Sequence, residues 1–173
     1  MRINFACGRQ VLDGFYNVDA VRSELAERDP ELLFELRFDD GKLIEQLPLA
    51  DGCADELHAM HIVEHFYRYD VDAVVEEWRR LIRVGGLLVL ELPNLEAACQ
   101  NLLKRGMSDR DVMFPLYGDA SWKSPYMVHR YGYTPITIGQ LLTDHGFTKV
   151  QILPPQTHKK RVHRDMRVEA IRS

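Results

Sequence analysis

The chain has 173 residues, of which 46% are hydrophobic and 28% charged, with a formal net charge of −4 at pH 7 and three cysteines. That profile predicts one globular domain with a core of its own, needing neither disulfides nor a structural metal. It gives no global pull toward nucleic acid or an anionic membrane. Cys7, Cys53 and Cys99 are odd in number and lack CxxC spacing, which fits a reducing, cytoplasmic setting. No signal segment precedes the first apolar run, and no apolar run reaches the ~20 residues of a membrane span, so export and anchoring are not expected.

Ile3 to Ala6 reads as a central strand that turns out of the sheet at Cys7-Gly8. Too few residues separate Gly8 from the next strand near Tyr16 for a crossover helix, which needs roughly 10–12 residues with its connections. The first helix is therefore predicted to be vestigial. This removes the helix N-terminus that usually faces a pyrophosphate and argues against a dinucleotide. The second strand lies in GFYNVDA, Gly14 to Ala20, and ends at Asp19. SELAERDPELL predicts a short helix stopping before Pro30, Leu32 to Phe38 a third strand, and Asp39-Asp40-Gly41 a turn.

Leu47 to Gly52 reads as a loop and Ala54 to Met60 as the fourth strand, with His61, Glu64 and His65 gathered where it ends. VDAVVEEWRRLI predicts a helix over Asp70 to Arg83, closed by Gly85-Gly86. The apolar run Leu87 to Leu92 predicts a strand buried on both faces, hence a parallel sheet. This alternation predicts an α/β, doubly wound, three-layer fold, and such sheets bind ligands outside the carboxyl ends of their strands. Asn94 to Gly106 reads as another helix. Ser108 to Tyr133 is a long aromatic stretch without clean periodicity, and irregular segments of that length are more often functional than inert. Thr134 and Pro135 open a helix to His145 that Gly146 terminates. Phe147 to Leu153 and Met166 to Ile171 read as two final strands. Between them, the basic run His158 to Arg164 reads as a solvated loop, with phosphate binding as the lesser alternative.

Taken together, INFACGRQ, GFYNVDA, LPLADGCAD, ADELHAMHIVEHF and RLIRVGGLLVLELPN resemble the motifs of a class I S-adenosylmethionine-dependent methyltransferase of the compact methyltransferase-domain type. The likeness is strong from Ile3 to Asn94 and looser from His129 to Phe147. It implies a seven-stranded, mostly parallel Rossmann-like sheet with an antiparallel last strand, helices on both faces, and the leading helices missing. It also implies a single domain over residues 1–173, with a cofactor half to about 94 and an acceptor half from about 95 to 173.

The cofactor implied is S-adenosylmethionine. The resemblance assigns its binding to Ala6, Cys7, Gly8, Asp19, Asp39, Leu47, Met60 and His61, with Asp40 competing with Asp39. Gly8 lets the backbone approach closely because it has no Cβ, and Ala6 stands where the family usually has glycine. Asp19 matches the ribose-binding carboxylate, since a carboxylate accepts from both hydroxyls of a diol. His65, beside Glu64, and His129 are the candidate catalytic residues, because a neutral imidazole takes a proton from a hydroxyl or amine. Methyl transfer from a sulfonium also proceeds by alignment alone, so a base is optional. Tyr117, Trp122 and Tyr126 are candidate walls for the acceptor.

His61 and His65 form HxxxH without the zincin glutamate, and no metal is expected. The implied function is methyl transfer to an oxygen or nitrogen of a small-molecule or saccharide acceptor, with a homodimer as one way to cover the open site. The alternative is a cofactor-binding, weakly active or inactive partner protein, motivated by Ala6, the short first crossover and the missing lid. A nicotinamide oxidoreductase is disfavoured because G-x-G-x-x-G is absent. Methylation of DNA bases is disfavoured because EHFY stands where an NPPY-like motif would be.

Overall fold

Alternating apolar positions in short runs build the strands β1 (Arg2–Phe5), β2 (Tyr16–Asp19), β3 (Leu33–Glu35), β4 (Phe38–Asp39), β5 (Lys42–Leu43), β6 (Ala54–Met60), β7 (Ile82–Pro93), β8 (Phe147–Leu153) and β9 (Asp165–Arg172). The helices are α1 (Val71–Leu81), α2 (Leu95–Arg105), α3 (Phe114–Tyr117) and α4 (Pro135–Asp144). The structure is a computed structural model that describes residues 1–8, 10–19, 33–35, 38–39, 42–43, 46–105, 109–123 and 127–173. Among the described residues, no helix is long and apolar enough to cross a membrane.

One seven-stranded sheet runs in the order β3-β2-β1-β6-β7-β9-β8. The first five of these are parallel, and β9 enters antiparallel to both β7 and β8, as expected. The chain builds outward from β1 to β3 and then returns to β6 on the other side of β1. The crevice outside the carboxyl ends of β1 and β6 is therefore the topological switch point, where a doubly wound sheet binds its ligand.

One face of the sheet presents Ile3, Phe5, Leu57, Ala59, Leu88 and Leu90 to an apolar core that includes Trp78 of α1 and Ile138, Leu141 and Leu142 of α4. Trp78 meets Phe5 edge-on, with ring centroids 5.7 Å apart. The opposite face is polar. On it Asn4 donates to Asn17 Oδ1 at 2.8 Å and to the Gln10 carbonyl at 2.7 Å. Asn17 in turn donates to the carbonyls of Leu12 and Phe15 and accepts from the Leu12 N–H. These two buried side chains fold residues 10–15 onto the sheet where a crossover helix would otherwise lie, so the first helix is indeed absent.

Three expected elements come out differently. The helix before β7 ends at Leu81 rather than Arg83, because Ile82 already pairs with Ala54; the ladder then resumes at Glu56 with Leu87. Residues 83–86 bulge between these pairs, and a Cβ on Gly86 would sit 2.6 Å from Ile82 Cγ2. The expected third strand divides: β3 stays in the main sheet, while β4 forms a separate antiparallel pair with β5. Asp40, Gly41 and the helix expected before Pro30 lie outside the described residues. The stretch after α2 is mostly short helical pieces, a π turn at Asp109–Met113, α3, and a 3-10 turn at Ala120–Trp122.

The capping of α4 follows the sequence closely. Thr134 accepts from the Thr137 N–H, Thr137 accepts from the Thr134 N–H, and Pro135 occupies the first turn. At the far edge, β8 carries Lys149 at φ +52°, inside a register shift between Thr148 and Gln151.

Candidate active site

Two clusters flank the switch point. At the end of β1, Ala6 adopts φ +54°, a left-handed conformation that costs an L-residue roughly 1–2 kcal/mol. This explains why glycine suits that position. Cys7 is buried, its N–H donating to the Val18 carbonyl at 3.0 Å. Burial, aided by the Asp19 charge, pushes its thiol up to about 12, so Cys7 is a packed thiol and no nucleophile. Gly8 is also left-handed, with nothing within 4 Å of where a Cβ would be. Its N–H donates to Asp19 Oδ2 at 2.6 Å, fixing the carboxylate at the end of β2. Met60 lines a cavity of about 260 Å³ with Asn4, Gln10, His58, Thr157 and Arg167.

Two of the remaining three expected cofactor residues lie elsewhere. Leu47 is buried in the apolar core, its N–H donating to Glu77. Asp39 sits in the β4–β5 pair, opposite Lys42, rather than at the end of a main-sheet strand.

The second cluster begins where β6 ends. His61 has φ +52°, and its N–H donates to the Glu91 carbonyl at 2.7 Å. A left-handed non-glycine residue stores strain of a kind that collects at functional sites. Its ring stacks on His158 with centroids 5.2 Å apart. His61 Nδ1 lies 3.3 Å from Glu64 Oε1, and Nε2 lies 3.8 Å from Asp165 Oδ2. Burial works against the imidazolium, but Glu64 and Asp165 outweigh it and hold the His61 pKa above its ordinary value.

Glu64 follows in a 3-10 turn, 2% exposed, with no hydrogen bond to either carboxylate oxygen among the described residues. Burial alone would push its carboxyl up, but His61, His65 and His129 hold it down at about 2. The Glu64 carbonyl accepts from the N–H groups of Arg130 and Tyr131, which locks the 127–131 segment against this turn.

Across the gap, the His65 and His129 rings meet edge to face, with centroids 4.8 Å apart. His65 Nδ1 donates to the Val128 carbonyl at 3.1 Å, and His129 Nδ1 donates to the Pro115 carbonyl at 2.9 Å. A carbonyl can only accept, so each Nδ1 carries the proton. Burial pushes the His65 pKa below its ordinary value, with Glu64 opposing, so His65 is neutral at pH 7. Tyr117 and Trp122 are exposed at the aromatic segment, and Tyr126 lies outside the described residues.

Asp165 and His158 escaped the sequence reading. Asp165 is buried, with Arg164 Nε 3.3 Å from Oδ1 and His61 Nε2 3.8 Å from Oδ2 but no hydrogen bond to either oxygen among the described residues, and burial pushes its carboxyl up. It sits here because β9 runs antiparallel, pairing its first residue with Pro93 at the last position of β7. The antiparallel last strand expected from the sequence is the signal that points to it. His158 belongs to the basic run expected to be solvated, half of which turns inward.

Residues 12–90 match the methyltransferase domain family. That match covers a little under half of the chain and falls within the stretch that resembles a class I S-adenosylmethionine-dependent methyltransferase. Its fold matches solved structures over nearly its whole length. A SAM-dependent methyltransferase from Archaeoglobus fulgidus has a TM-score of 0.63 at 14% identity, over 99% of this chain and 85% of that one. A protein from Pyrococcus horikoshii scores 0.65 at 16% identity, over 99% and 81%. The 1,6-didemethyltoxoflavin-N1-methyltransferase of Burkholderia thailandensis, solved with that substrate and S-adenosylhomocysteine, scores 0.60 at 14%, over 99% and 70%. No curated protein matches significantly.

The residues at the end of β1 are compatible with S-adenosylmethionine. The open space over Gly8 and the Asp19 carboxylate anchored beside it suit a ribose edge, and no pyrophosphate needs a helix N-terminus.

Proposed function

We propose that this chain transfers the methyl group of S-adenosylmethionine to an oxygen or nitrogen of a small-molecule or glycan acceptor, seated against His61, Glu64, His65 and His129. The observation that carries this reading is the pairing of two clusters across one switch point, the Gly8–Asp19 contact at the end of β1 and the imidazole–carboxylate group at the end of β6. When bound, the cofactor supplies an electrophilic methyl on sulfur. Ala6 to Gly8 and Asp19 hold its adenosyl part. An acceptor lying in line with that methyl would give up its proton to the His65 imidazole at Nε2, the ring nitrogen that the Nδ1–H bond to the Val128 carbonyl leaves available. His129, hydrogen-bonded to Pro115, orients the acceptor beside it. The nitrogen acceptor of the Burkholderia relative is compatible with this arrangement.

The test is calorimetric titration with S-adenosylmethionine and S-adenosylhomocysteine, followed by transfer of labelled methyl to an acceptor panel. Asp19→Ala is expected to weaken binding about ten- to hundredfold, the worth of a hydrogen bond to a charged group. Binding unchanged by that substitution would move the cofactor elsewhere. Binding without transfer to any acceptor would favour a cofactor-binding partner protein.

A further inference from the structure

We infer that Glu64, His65 and His129 form a binding site for one divalent transition-metal ion, with Zn²⁺ matching the donor set best. The inference shares the acceptor location of the function proposed above, but its test needs no acceptor. One donor atom from each of the three residues lies within 4.8 Å of the other two. Both histidines donate Nδ1–H to main-chain carbonyls, of Val128 and Pro115. That leaves an Nε2 lone pair on each ring, and outer hydrogen bonds of this kind fix the tautomer and orientation of metal-binding histidines.

The third donor is a carboxylate 2% exposed whose two oxygens accept no hydrogen bond among the described residues. Its ion partners among the described residues are imidazoles, His61 Nδ1 at 3.3 Å and His129 Nε2 at 4.0 Å; a buried carboxylate short of hydrogen bonds is costly, and a cation beside it lowers that cost. The ligands come from the turn after β6 and from the 127–131 segment, which the Arg130 and Tyr131 N–H bonds to the Glu64 carbonyl hold together. Metal–ligand bonds of about 2.0–2.2 Å at a tetrahedral angle put donors roughly 3.4 Å apart, so loading requires a closure of about an ångström. Two imidazoles and one carboxylate are a borderline set, suited to Zn²⁺ and its neighbours rather than Mg²⁺ or Ca²⁺, and three protein ligands leave an open position. A cation there would take an acceptor oxygen at that position and lower its pKa, and in that loaded state the cation replaces the His65 imidazole in removing the acceptor's proton, because His65 Nε2 is then a ligand.

The experiment is calorimetric titration of the chelator-stripped full chain with ZnCl₂, with MgCl₂ as the contrast and S-adenosylhomocysteine titrated separately on every variant. One Zn²⁺ per chain is expected, with no measurable Mg²⁺ binding. Glu64→Gln, His65→Ala and His129→Ala should each weaken Zn²⁺ at least tenfold while S-adenosylhomocysteine still binds, and His145→Ala should leave Zn²⁺ unchanged. Co²⁺ in place of Zn²⁺ should give a visible absorption band that Glu64→Gln abolishes. No Zn²⁺ binding, or binding that the three substitutions leave unaltered, overturns the inference. Loss of S-adenosylhomocysteine binding in the wild-type chain would instead overturn the function reading.

Discussion

On one face of the sheet, Phe5, Leu57 and Leu90 pack with Trp78 and Leu142 in an apolar core. On the other, Asn4, Asn17, Glu91 and Arg167 are buried and hold their places by hydrogen bonds. Glu91 accepts from the N–H groups of Gln156 and Thr157 and from Arg167. The apolar face draws its stability from area, which tolerates reshaping, whereas each polar member of the other face depends on one or two named partners. The loops at residues 10–15 and 156–157 are fastened by the polar face, so the segments bordering the switch point rest on geometry more than on burial.

The contrast can be broken from either side. Trp78→Ala should cost about 4 kcal/mol by denaturant unfolding, as a large buried aromatic leaves a cavity. A loss under about 1 kcal/mol would mean the apolar face is not the main store of stability. Glu91→Ala should cost about 3 kcal/mol because it leaves the Gln156 and Thr157 N–H groups without their acceptor and Arg167 with Glu169 alone among the described residues, and Glu91→Leu together with Arg167→Met should recover most of that. Failure of the double change to recover would show that the N–H groups of 156–157 matter more than the charge. Asn17→Ala should cost about 1–3 kcal/mol by leaving the Leu12 N–H unpaired, and limited proteolysis should then cut at residues 10–15.

The polar face also sets a pH dependence that the apolar face lacks. Burial opposes the Glu91 charge, but the N–H groups of Gln156 and Thr157 and the Arg167 side chain outweigh it and lower its pKa from the ordinary 4.5. A depressed carboxyl contributes stability that is present above its unfolded pKa and lost as pH falls through the folded one. Acid melts of Glu91→Leu should therefore decline less below pH 4.5 than wild type, and parallel declines would remove Glu91 from the account. The smallest expected effect is Ala6→Gly, a gain of roughly 1 kcal/mol from relief of its left-handed backbone. A loss would show that the Ala6 methyl packs usefully.

Much of the fold was legible because periodicity and punctuation report local physics. Ala54–Met60 and the Thr134–Pro135 cap fall where the sequence puts them, and the short first crossover follows from counting residues. The end of α1 was missed because strand pairing of Ile82 overrides a helical pattern that runs on to Arg83. Of the expected site residues, Ala6, Gly8, Asp19 and His61 lie at or just past parallel strand ends beside the switch point, where motifs are legible in sequence. The site was not legible at Asp165 and His158, which reach it only through the antiparallel return of β9. Leu47 looked like a cofactor wall because apolarity alone does not tell a slot from a core.

The displaced pairing around Lys149 has a further consequence for assembly. A sheet margin invites another chain when it offers a straight, regular row of amides and carbonyls. At β8 that row is interrupted by a left-handed lysine between Thr148 and Gln151, which bends the template and puts a charge in the path of an incoming strand. The sheet resists extension on this side, so β8 is a poor place for any further strand to lengthen the ladder.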